Sequence, residues 1–110
     1  MATELTQLAT GNFTDTDAAA ITVPAGQAWE VRYIHIQQPV GAVAKVAQVG
    51  LGTTGTAVNV KVSRSLAAGQ YHEPVFAPIA LAAAATLNVK QSVAANTELT
   101  YLIEGYKRIL

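Results

Sequence analysis

Alternation with a period of two constrains this chain more than any other feature. In "TAVNVKVSR", Val58, Val60 and Val62 point one way while Ala57, Asn59, Lys61 and Ser63 point the other. Successive side chains of a strand project from opposite faces, so the pattern describes a strand with one buried face. "TLNVKQS" repeats it, with Leu87 and Val89 set against Asn88 and Lys90. "TELTYLIEGY" does so again, with Leu99, Tyr101 and Ile103 opposite Thr100, Leu102 and Glu104. The β-branched and aromatic residues in these runs suit a pleated surface. No segment has the length and 3.6-residue period of an amphipathic helix.

The breaks are equally legible. "VPAG" places Pro24 second and Gly26 fourth in a four-residue turn, the preferences of type I. "GLGTTGT" brings three glycines within seven residues, and "LAAGQ" and "SVAANT" bound further strands. Short strands at such spacing in a chain of 110 residues imply an all-β fold, a single-domain β-sandwich or barrel. Residues 1–20 are polar and Thr-rich, and read as an extended N-terminal arm or an edge strand beside a sandwich domain of residues 21–110. "IALAAAATL", Ile79 to Leu87, has the alanine content of a helix and follows Pro78, but it lacks a polar face. A loop or short strand is the favoured reading.

Charged residues are only 13% of the chain, against the usual ~25%, and seven Lys and Arg balance seven Asp and Glu. A neutral, charge-poor surface lacks the repulsion that keeps monomers apart, which favours assembly. The seven basic residues are scattered, so direct nucleic-acid binding is not expected. Without cysteine there are no disulfides or thiolate metal sites. "MATELTQLATG" has no signal-peptide pattern, and no apolar run approaches the ~20 residues of a membrane span. The expected site of synthesis is the cytoplasm.

Residues that carry chemistry are few. In "ITVPAGQAWEVRYIHI", alternation assigns Trp29, Val31, Tyr33 and His35 to one face and Glu30, Arg32, Ile34 and Ile36 to the other. Both faces then mix polar and apolar groups, as a strand covered by a neighbour would. His35 reads as a structural histidine, since a metal site needs about three convergent ligands and the strand offers no others. In "YHEP", His72 and Glu73 are neighbours on a strand and face apart, Tyr71 and Glu73 can share a face, and Pro74 suggests an edge or strand end. Asp15 and Asp17 in "DTD" lack the glycine and distal glutamate of a calcium loop. "GLGTTG" lacks the lysine of a P-loop, and no serine has a nucleophile-elbow setting. No catalytic residue, cofactor or metal site is expected, and the chain reads as a non-enzyme. Trp29 is expected in the core, with a sugar-stacking platform as the competing role.

The order of features resembles small virion structural proteins of tailed bacteriophages. The resemblance rests on a polar N-terminal stretch, "ITVPAGQAWEVRYIHI", Gly- and Thr-rich loops, "SLAAGQYHEPVFAPIAL" and a closing "LTYLIEGYKRI". It covers most of residues 20–108. In one respect the chain departs from the pattern: a glycine often precedes the late strand, where "LAAAATLNV" has alanines. The resemblance implies a β-sandwich, often jelly-roll in topology, assembling as a homo-oligomer on a phage particle. The favoured role is a capsid cement or decoration protein, with a tail or fibre component, such as a carbohydrate-binding β-sandwich module, as the alternative. Its partners would be copies of itself and the major capsid protein or another virion protein, with no membrane. The expected contact residues are Thr3, Leu5 and Leu8 in the arm, Tyr71, His72 and Phe76 in the middle, and Tyr106, Ile109 and Leu110 at the C-terminal end.

Overall fold

The computed structural model describes residues 4–14, 20–52 and 60–110. They form eight strands: β1 (Thr6–Asn12), β2 (Ala20–Thr22), β3 (Gln27–Gln38), β4 (Lys45–Leu51), β5 (Val60–Leu66), β6 (Tyr71–Leu81), β7 (Thr86–Gln91) and β8 (Thr100–Ile109). Two four-stranded antiparallel sheets result, ordered β1-β8-β3-β6 and β2-β7-β4-β5. The pairings nest: β1 with β8, β2 with β7, β3 with β6 and β4 with β5. Two further ladders, β3 with β8 and β4 with β7, complete the sheets. The expected all-β fold is present, and Thr6–Asn12 is an edge strand of the first sheet.

The alternating runs supply the core. Leu99, Tyr101 and Ile103 from the first sheet meet Val62, Leu87 and Val89 from the second, all buried as their spacing predicts. Val58, the first valine of the β5 pattern, lies outside the described residues, as do Asp15, Asp17 and Thr3. Phe13 closes the core beyond β1, fully buried and edge-on to Tyr101 at 5.6 Å.

Strand β3 corrects the expected division of faces. Trp29, Val31, Ile34 and Ile36 are buried, whereas Tyr33 and His35 lie toward the outer side. The register shifts between Val31 and Tyr33 against both β6 and β8. Against β8, Arg32 is an extra residue, and a bulge of this kind exchanges the faces of everything beyond it. Gly105 makes the bulge possible. A Cβ there would overlap the Glu30 carbonyl oxygen and lie 2.9 Å from the Val31 Cα, so only glycine lets β8 approach β3 this closely.

Two turns also differ in detail from their expected form. The hydrogen bond from the Gln27 amide to the Pro24 carbonyl (3.2 Å) shifts the first turn by one residue. Gly26 thereby becomes its third residue, with φ of 79°, the requirement of type II rather than type I. "IALAAAATL" is neither one loop nor one strand: Ile79–Leu81 ends β6, a turn follows, and Thr86 opens β7. Within the turn Ala84 takes a left-handed φ of 66° and donates its amide to the Val23 carbonyl. An alanine thus occupies the backbone conformation that glycine favours.

One end of the sandwich is polar inside. The Lys45 side chain is buried and donates to Gln38 Oε1 at 2.7 Å, with Glu98 at 3.7 Å. Gln38 Nε2 in turn donates to the Ala67 carbonyl. The Asn96 side chain holds the Glu98 carboxyl below its ordinary value, with the Val43 backbone and Lys45 adding to the effect.

Candidate functional site

The bulge that turns Ile34 and Ile36 inward turns Tyr33 and His35 outward, onto the open face of the first sheet. There β3 lies between β8 and β6, and each contributes outward side chains. His35 Nε2 is 2.5 Å from Glu104 Oε1 of β8, and His35 Nδ1 is 3.4 Å from His72 Nε2 of β6. These groups border a shallow hollow of about 310 Å³ that also includes Thr10, Gln37 and Thr100. Tyr101 forms part of its lining, and burial raises its phenol above the ordinary value.

Beside the histidines the Tyr33 and Phe76 rings pack at 5.6 Å, and Phe76 remains 58% exposed. Farther along, Arg32 lies 5.5 Å from the centre of the Tyr106 ring and pairs with Glu30 at 2.6 Å. A row of flat side chains therefore crosses the face, with polar groups at both ends. The face offers stacking surfaces, hydrogen-bond acceptors and an imidazole pair.

The sequence-predicted contact residues fall into separate places. His72 and Phe76 join this face, and Tyr106 lies at its far end under Arg32. Tyr71, of opposite parity, is exposed at the start of β6. Leu8 is partly buried against the core, whereas Leu5 is exposed. Ile109 and Leu110 are exposed at 70% and 68%. Trp29 is only 7% exposed, with Nε1 donating to Gln27 Oε1, so its ring offers no stacking platform for a sugar.

Sequence reasoning missed Tyr33, His35 and Glu104 as members of one surface. Strand pairing brings His35 and His72 together across 37 positions, and His35 and Glu104 across 69. Among the described residues, no group of three or more His, Cys, Asp or Glu side chains is placed to hold a metal ion together. None of the described residues forms a helix long and apolar enough to cross a membrane. Compared with protein-family models, curated proteins and solved structures, the chain finds no match.

Proposed function

We propose that this chain is a structural protein of a tailed-bacteriophage virion, a capsid cement or decoration protein that binds neighbouring shell proteins through multivalent contacts. The observation that carries the reading is the outer face of the first sheet, where Tyr33 and Phe76 stand exposed beside the histidine pair. Aromatic side chains of this kind are enriched at the cores of protein interfaces. Repetition by symmetry multiplies weak contacts of this size into stable attachment.

Two further features support it. Strands ordered β1-β8-β3-β6 over β2-β7-β4-β5, with nested pairing, follow the scheme of the eight-stranded jelly roll, a fold used by viral capsid domains. One edge of each sheet also discourages open-ended strand addition: exposed Pro74 and Pro78 punctuate the edge strand β6, and Lys61 and Arg64 lie on the edge strand β5. Face-directed association fits that arrangement better than edge-directed fibre growth. The burial of Trp29 weighs against the carbohydrate-binding alternative.

The test pairs light scattering with electron microscopy of phage particles labelled by antibody to this chain. A homo-oligomer, label on heads, and loss of head binding in a folded Phe76→Glu variant are the expected results. Label confined to tails would transfer the role to a tail component. A strict monomer that sediments with no particle would overturn the proposal.

A further inference from the structure

His35 and His72 are built as a pair in a way that ordinary surface histidines are not. Their ring planes differ by only 12°, with centroids 5.5 Å apart and the facing nitrogens 3.4 Å apart. The centroid separation exceeds the nitrogen separation by nearly the radius of both rings. The rings therefore meet edge to edge, with nitrogen opposite nitrogen. At 3.4 Å the pair is longer than the ~2.7–3.2 Å usual for a hydrogen bond from N–H.

The same spacing suits another occupant. Two nitrogens bonded to one tetrahedral ion at ~2.0–2.1 Å lie ~3.3–3.4 Å apart. Glu104 sets the tautomer of His35, because its carboxylate accepts a hydrogen bond from Nε2–H. The lone pair of His35 is then left on Nδ1, the nitrogen that faces His72. A carboxylate behind a ligating histidine is the common second-layer support of protein metal sites. The hollow beside the rings has room for water, and His72 is free to turn because its side chain is exposed.

We propose that His35 Nδ1 and His72 Nε2 form a two-imidazole site for a late first-row divalent ion, completed by water and supported by Glu104. Both imidazoles bind as neutral ligands: His35 keeps its proton on Nε2 toward Glu104, His72 carries its own on Nδ1 when Nε2 binds the ion, and no net proton is released. Two imidazoles and water impose little geometry, so the site follows the general order of affinity, with Cu2+ above Ni2+ and Zn2+. The inference does not depend on the virion assignment.

The test is calorimetric titration of the untagged full chain with Ni2+ and with Zn2+ at neutral pH, alongside His35→Gln, His72→Gln and Glu104→Gln. Circular dichroism verifies that each variant is folded. The expected result is one saturable equivalent at micromolar concentration. At least a tenfold loss is expected in either histidine variant, and a loss of about tenfold in Glu104→Gln. Absence of saturable binding below millimolar ion, or binding unchanged when either histidine is replaced, would overturn the proposal.

Discussion

Replacing Gly105 by alanine tests the architecture at its tightest point. The added methyl would enter the Glu30 carbonyl oxygen and crowd the Val31 Cα, both main-chain atoms of β3 that have no rotamer to change. Strand β8 must then move away from β3 beside the bulge. Losing two ladder hydrogen bonds costs about 1 kcal/mol each. Residual crowding in a close-packed interior adds roughly 1 kcal/mol or more. The expected destabilisation is therefore about 3 kcal/mol, or about 12 °C in Tm for a domain of this size. Gly26→Ala is the control. It has open space around the Cβ but a φ of 79°, so it carries the backbone cost alone, about 1 kcal/mol. Thermal melts and urea titrations of both variants measure the difference. A Gly105→Ala protein within about 4 °C of wild type, a loss near 1 kcal/mol, would refute the close approach of β8 to the bulge.

The same melts check three further expectations. Ala84→Gly should raise Tm by a few degrees, because relief of the left-handed alanine (~1–2 kcal/mol) outweighs the added freedom of the unfolded chain (~0.5–1 kcal/mol). Phe13→Ala should cost about 3–5 kcal/mol, since the ring is wholly buried against Tyr101 and the core. The folded Glu98 carboxyl titrates lower than the unfolded one, so its stabilising share is present at neutral pH. That share should disappear as pH falls through the ordinary carboxylate range and the lowered folded value, and Glu98→Gln should flatten the acid limb of a stability–pH curve.

What the sequence revealed depended on whether strand parity ran unbroken. Through Val62, Leu87 and Val89, and Leu99, Tyr101 and Ile103 it did, and those side chains are buried. Val60, however, is only half-buried, and Asn88, expected on the open face of β7, is buried too. In β3 the bulge at Arg32 reset the count, so Tyr33 and His35 exchanged sides with Ile34 and Ile36. Gly105 was the available signal, but its meaning depends on which strand lies beside β8. The histidine pair was hidden for a similar reason, since the chain order of His35, His72 and Glu104 carries no information about which strands become neighbours. Ala84 shows the opposite case: a conformation that favours glycine was adopted without one, because the turn's hydrogen bonds to Val23 and Ala82 hold it in place.

The nested pairing also has a consequence for biosynthesis. β8 is an interior strand of its sheet, flanked by β1 and β3, yet among the described strands it comes last in chain order. Until residues 100–109 leave the ribosome, β1 has no partner and β3 has a neighbour on one side only. The outer face that carries Phe76 and the histidine pair is therefore completed late, after some 90 residues separating the paired ends have been bridged. Contacts this distant in sequence form slowly. Before β8 is in place, the outer face holds Tyr33, Phe76 and the histidine pair on β3 and β6 but lacks the Glu104 carboxylate and the Tyr106 ring that border them.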